Sequence, residues 1–148
     1  MSLNQIYNFL QIDDRLATAG QPTIEQFNDI KTGGYQVVVN LALPTSKNAI
    51  ENEAQIVESL GMQYVHIPVE WEQPTIEKLH QFFDTLNANR NQAVFVHCAM
   101  NMRVSAFVYL YRRMQQQVSD EQAKSDLVKI WMPNETWQNF MKAAIARN

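Results

Sequence analysis

VFVHCAMNMRVSAFVYLYRR, residues 94–113, decides how this chain folds. Up to His97 the segment is a nearly continuous apolar run, the pattern of a strand covered on both faces. From Arg103 to about residue 116 it reads as a helix, with Phe107, Leu110 and Tyr111 as packing positions. Only a short loop joins the two. A buried strand that passes directly into a helix is the repeating unit of an α/β sheet.

The rest of the chain supplies more such units. YQVVVNL at 35–41 and MQYVHIP at 62–68 read as two further core strands, and residues 93–96 are the third. Helices are expected at about 49–60 (Ile50, Ala54, Val57, Leu60) and 75–88 (Ile76, Leu79, Phe82, Phe83, Leu86). Thr23 with Gln26 fits a capping box ahead of Ile24, Phe27 and Ile30, and Gly33-Gly34 ends that helix. A second box, Ser119 with Gln122, opens a helix to about 131; Pro133 breaks the chain before a last helix at 135–146. Residues 3–10 carry Leu3, Ile6, Tyr7 and Leu10 on one helical face, and 15–18 suit a short edge strand. The expected fold class is therefore α/β: one domain over 1–148, with a central, mostly parallel sheet of about four strands flanked by helices. Ligands of such sheets bind at the carboxyl ends of the strands, where residue 98 falls.

Composition bounds the chemistry. Hydrophobic residues make up 46% and charged residues 18%, an ordinary globular balance. Lysine and arginine total 12 against 15 acidic residues, so the net charge of -3 argues against a nucleic-acid partner. Arg112-Arg113, the one dense basic pair, suits a solvated helix face. A single cysteine forbids an internal disulfide, and His66, His80 and His97 lack metal-ligand spacing, so neither a metal nor a cofactor is expected. No apolar run approaches the roughly 20 residues that span a bilayer, which gives no membrane partner. MSLNQIYNFLQ lacks the basic and apolar regions of a leader, and the chain as given reads as cytoplasmic. Nothing in the sequence fixes an oligomeric state.

The loop after this third core strand is where chemistry is expected. The first N–H groups of a helix have no internal partner, and the helix dipole adds positive potential. Successive loop N–H groups form a nest for an anion. Cys98 in such a cradle is a candidate nucleophile, since the thiolate is the reactive form. Arg103 adds a planar fork matched to oxyanions. Each residue also has a plainer reading: Cys98 as an inert buried thiol, Arg103 as a surface ion-pair partner, and His97 as a satisfied core histidine. Glu70 and Glu72 read more simply as solvated loop charges, and Trp71 as a lid or a core plug.

Strand, His-Cys, short loop, Arg and Ser together resemble the signature loop of the cysteine-dependent phosphatases. TAGQPT at 18–23, VVNLAL at 38–43, YVHIPV at 64–69 and HCAMNMRVS at 97–105 resemble its bacterial dual-specificity-phosphatase-like branch, whose domain also occurs fused to β-lactamase-like sulfur dioxygenases. That resemblance implies a phosphomonoester or small oxyanion as ligand and a role for each matching residue. Cys98 attacks phosphorus, giving a phosphocysteine. Arg103 and the N–H groups of Ala99, Met100, Asn101, Met102 and Arg103 bind the oxygens. Ser105 helps the sulfur leave, and His97 orients the cysteine from behind. Two features depart from the tyrosine-phosphatase pattern. Four residues rather than five separate Cys98 from Arg103, a spacing that many rhodanese-type sulfurtransferases share. Asn101 stands where glycine is frequent, and asparagine is among the side chains that tolerate a left-handed backbone. The family's acid is an Asp some thirty residues upstream; none lies between residues 62 and 81 here, which leaves Glu70, slightly preferred, or Glu72. A sulfurtransferase carrying a persulfide on Cys98, and a non-catalytic binder of anions or phosphoproteins, stand beside the phosphatase as alternatives.

Overall fold

The computed structural model describes residues 3–147. Five strands form one sheet: β1 (Leu10–Asp13), β2 (Leu16–Ala19), β3 (Val37–Asn40), β4 (Gln63–His66) and β5 (Val94–His97), in the order β1-β2-β5-β3-β4. Strands β2, β5, β3 and β4 run parallel, and β1 pairs antiparallel with β2. The helices are α1 (Gln26–Thr32), α2 (Glu53–Ser59), α3 (Ile76–Ala88), α4 (Met102–Met114), α5 (Asp120–Ile130) and α6 (Glu135–Ala146).

Alternation of side chains along a strand explains why the core strands are apolar throughout. Val37, Val39, Val94 and Val96 face one side, packed with Leu79, Phe82, Phe107 and Trp137 of α3, α4 and α6. Val38 and Phe95 face the other, against Phe27 and Ile30 of α1 and Val57 of α2. Helix α4 is buried over most of its length, as befits a helix sandwiched between the sheet and α5 and α6.

The sheet is mostly parallel as expected, with five strands where about four were expected. Readings of single segments change. Residues 3–10 are not a helix: a 3-10 turn (Leu3–Gln5) ends as Asn8 turns the chain at φ 51, and Leu10 already belongs to β1. Strand β2 is not an edge, because β1 covers its outer side and all four of its residues are buried. Arg112, in turn, is no solvated charge. It is buried, with a 2.6 Å ion pair to Asp126. The first capping box forms with both of its bonds, and the second with its Ser119 Oγ cap, which accepts from Gln122 N–H (3.2 Å). In the first, Thr23 N–H donates to Gln26 Oε1 (2.9 Å) and Gln26 N–H to Thr23 Oγ1 (3.3 Å), although α1 itself begins only at Gln26 and Ile24 is exposed.

The order of strands places β5 in the middle. Its His97 lies in register with Ala19 of β2 and Asn40 of β3, so Cys98 emerges at the carboxyl edge with a parallel strand on either side.

Candidate active site

Cys98 follows β5 directly, is 1% exposed, and is tied down by its N–H donating to Ala19 O (3.3 Å). The loop then turns into α4 through Asn101, which adopts the left-handed conformation (φ 69, ψ 0) expected of it. Asn101 does not cap the helix with its side chain. Its Nδ2 reaches the other way, to Asn8 O (2.8 Å) and Thr18 Oγ1 (3.1 Å), binding the loop to the β1–β2 hairpin. The first turn of α4 is therefore left without a side-chain cap from Asn101, as an anion site requires.

The loop carbonyls are all turned toward protein. Ala99 O accepts from Gln21 N–H (3.1 Å) and Asn48 Nδ2 (3.2 Å), and Met100 O from Asn8 Nδ2 (3.0 Å). Cys98 O lies 3.2 Å from His97 Nδ1. A trans peptide plane puts N–H opposite C=O. Fixing the carbonyls of Cys98 and Ala99 thus aims the N–H groups of Ala99 and Met100 away from those partners, toward the concave side of the loop.

That side is a cavity of about 180 Å³ lined by Trp71, Cys98, Ala99, Met100, Met102 and Arg103. Arg103 is 7% exposed, and one arm, Nη1, donates to the carbonyl of buried Val69 (3.0 Å). The remaining N–H groups of the fork are free for an oxyanion. A larger cavity of about 330 Å³ lies at the opposite end of the strands, between Leu16, Arg90 and Tyr111, but it holds no nucleophile.

Other residues singled out in the sequence fall at different distances from this cradle. Ser105 Oγ donates to Met102 O (2.9 Å) and accepts from Trp131 Nε1 (3.0 Å), so neither of these bonds goes to Cys98. Glu70 and Glu72 are exposed, and neither lines the cavity; Trp71, between them, does. Trp71 is lid and plug at once. Its ring centroid lies 5.2 Å from that of Trp131 and 5.9 Å from that of Trp137, both pairs tilted, and its carbonyl accepts from Trp137 Nε1 (2.9 Å). Glu70 is next in sequence to Val69, whose carbonyl Arg103 holds, so its backbone sits at the rim.

Beneath the loop, His97 meets a carboxylate that the sequence reading passed over, Glu53. His97, wholly buried, has Nε2 2.5 Å from Glu53 Oε2, and Glu53 Oε1 accepts from Gln21 Nε2 (2.9 Å). Glu53 is itself 3% exposed. A signal was available: Glu53 stands four residues before Val57, on the inward face of its helix. No cluster of His, Cys, Asp or Glu suited to a metal occurs among the described residues, and no helix among them is long and apolar enough to cross a membrane.

Residues 7–146 match the sequence profile of a family described as DSP-PTPase phosphatase fused to NAD+ kinase. The fold superimposes on a DUF442 protein of Shewanella putrefaciens CN-32, provisionally assigned as a phosphatase. The TM-score is 0.88 at 33% identity, covering 98% of this chain and 95% of that one. Tk-PTP in its active form is similar in fold, with a TM-score of 0.81 at 16% identity, covering 95% of this chain and 98% of the other. So is TpbA of P. aeruginosa, solved in complex with pTyr, with a TM-score of 0.67 at 15% identity and coverage of 94% and 81%. No curated protein matches the sequence.

Proposed function

The chain belongs to the DSP-PTPase phosphatases, and from that premise we propose that it hydrolyses phosphomonoesters in two steps through Cys98. The sulfur of Cys98, as thiolate, attacks phosphorus; the S–P bond forms as the ester P–O bond breaks, and the departing oxygen takes a proton from an acid. Water, giving a proton back to the conjugate base of that acid, then attacks the phosphocysteine; the new P–O bond forms as the P–S bond breaks, and inorganic phosphate leaves with the thiolate and the acid restored. The Arg103 fork and the N–H groups of Ala99 through Arg103 hold the three equatorial oxygens where charge is spread in both transition states.

The observation that carries this reading is the convergence on one small cavity of a buried thiol, an uncapped helix start, outward-tied loop carbonyls and a single guanidinium. Loop residue Asn101 completes the turn that the four-residue spacing requires. The acid is Glu70, adjacent to the Arg103-held Val69; closing over a bound ester would bring its carboxyl inward. Ser105, one turn into α4 and fixed by Trp131, assists departure of the sulfur in the second step. Trp71, Met100 and Met102 around the mouth favour an ester with an apolar or aromatic leaving group over one carrying further charges. The pTyr complex of TpbA is in keeping with that preference. A lone thiol that must stay reduced to work suits the cytoplasm, and one α/β domain carries the whole site.

Hydrolysis of p-nitrophenyl phosphate by the wild type, its loss in Cys98→Ser, and a phosphoryl adduct on Cys98 after acid quench are the expected results. Thiosulfate sulfurtransfer without ester hydrolysis, abolished by the same substitution, would replace this reading with the persulfide alternative. Oxyanion binding without either turnover would leave an anion-binding module.

A further inference from the structure

The buried pair beneath the loop has a protonation state fixed by its geometry. A carbonyl oxygen only accepts, so His97 Nδ1, 3.2 Å from Cys98 O, carries a hydrogen and donates it. The other ring nitrogen lies 2.5 Å from Glu53 Oε2, and two bare acceptors cannot meet at that distance. One further proton is held between them. Gln21 Nε2 donates to the other carboxyl oxygen at 2.9 Å, which favours the ionised carboxylate and leaves the positive charge on the imidazole, one residue from the nucleophile. Phe27 of α1 turns its ring toward His97 at 6.2 Å, Gln21 and Asn40 are neutral, and the Tyr64 hydroxyl of β4 is pushed up to about 12, chiefly by burial and then by Glu53, so it stays protonated. Cys98 follows His97 in the chain, with Arg103 lining the same cavity as Cys98.

The same carboxylate reaches the loop along two routes. Through His97 it fixes the Cys98 carbonyl. Through the Gln21 side chain it holds the residue whose backbone N–H fixes the Ala99 carbonyl at 3.1 Å. Those two carbonyls determine where the N–H groups of Ala99 and Met100 point. An ion pair removed from water is expensive, and hydrophobic replacement of such pairs often stabilises a fold. Its presence here, against the catalytic loop rather than at the surface, calls for a reason other than stability.

We propose that Glu53 is a positioning residue for the Cys98 nucleophile, keeping His97 as an imidazolium and, through His97 and Gln21, orienting the two peptide planes that aim the anion cradle. This rests on the reading of Cys98 as the nucleophile. The role divides into a charge part and an orienting part, and two substitutions separate them. Glu53→Gln keeps the shape: its amide N–H₂ donates to a neutral imidazole and its carbonyl accepts from Gln21, so the planes stay put while the charge goes. Glu53→Ala removes both.

The test follows iodoacetamide alkylation of Cys98 over pH in the full chain, with vanadate inhibition and p-nitrophenyl phosphate kinetics alongside. Glu53→Gln should move the alkylation midpoint up by about one pH unit, as expected for losing a nearby opposite charge. It should lower kcat about tenfold on the acid side while KM and vanadate affinity change less than about threefold. Glu53→Ala should show the same midpoint shift and, in addition, at least about tenfold weaker vanadate inhibition. An unmoved midpoint in Glu53→Gln overturns the proposal, whatever happens to thermal stability, because a merely structural ion pair has no effect on the reactivity of the sulfur. If Glu53→Gln does not fold, ¹⁵N spectra of the wild-type histidines decide, with His97 identified through His97→Asn. Both ring nitrogens protonated at neutral pH supports the proposal, and a singly protonated ring overturns it. Failure of the phosphatase reading looks different: the wild type then turns over no ester, while the alkylation midpoint still responds to Glu53.

Discussion

Arg103→Lys separates geometry from charge at the mouth of the cradle. The guanidinium already commits Nη1 to the Val69 carbonyl at 3.0 Å, leaving its other edge to meet two phosphoryl oxygens side by side. A lysine keeps the charge but offers one ammonium from a flexible stem, and it cannot hold the Val69 carbonyl and span two oxygens together. Losing one charge-assisted bond of about 2 kcal/mol corresponds to about a 30-fold loss of affinity. The orphaned carbonyl of Val69, wholly buried, costs the fold about 1–3 kcal/mol more. Vanadate inhibition and kcat/KM on p-nitrophenyl phosphate should therefore both fall by about 30-fold or more, with a lowered Tm. The two losses are separable. A lowered Tm with vanadate inhibition unchanged within about threefold would make Arg103 a strut for the loop after β4 and remove it from the cradle.

If Glu70 is the acid, Glu70→Gln should slow hydrolysis of an alkyl phosphate by about 10²–10⁴-fold and that of p-nitrophenyl phosphate far less, since nitrophenolate leaves unaided. The same pattern in Glu72→Gln instead would move the role by two residues, and full activity in both would remove it from this loop. Gly20→Ala should damage activity more than stability. A methyl there would sit 2.6 Å from Tyr7 Cδ2, 2.8 Å from Ala99 O and 3.2 Å from Met100 Cα, so two of the three neighbours are backbone of the cradle itself. An overpacking strain of about 1–3 kcal/mol should appear as weakened vanadate inhibition; unchanged inhibition would mean the loop tolerates the shift. Asp120 carries the acid-side prediction. Its carboxyl is held below the ordinary carboxylate range, first by the Tyr109 hydroxyl and then by Lys124 and Arg113. A depressed folded-state value contributes stability above the unfolded value of about 3.9 that is lost as pH falls through the folded one. Asp120→Asn should thus lower Tm at neutral pH, and the gap to wild type should close in acid; a gap independent of pH would refute the assignment.

What was legible in the sequence and what was not divide along physical lines. Strands β3 and β5 could be read because burial on both faces removes every polar residue but the last, and α3 because its apolar stripe is unbroken. Strand β1 could not. LQID alternates weakly, carries an irregular register at Asp13, and follows a stretch whose spacing of Leu3, Ile6, Tyr7 and Leu10 imitates a helix. The imitation fails at Asn8, whose positive φ is invisible to periodicity, and Tyr7 is left 49% exposed. In the candidate site, the placement of Cys98, Arg103 and the left-handed Asn101 was legible because the turn from strand to helix dictates it. Their supports were not, because they come from four other places in the chain: Asn8, Gln21, Asn48 and Glu53. Every one of these acts on a carbonyl of the loop, directly or through His97. A loop of four residues between Cys98 and Arg103 has little backbone of its own with which to hold a cradle open. Its orientation is imposed from outside, by three amides and one carboxylate whose sequence context looks like ordinary turn and helix surface. That is why the candidate nucleophile can be read from one segment, whereas the geometry around it requires the whole sheet edge.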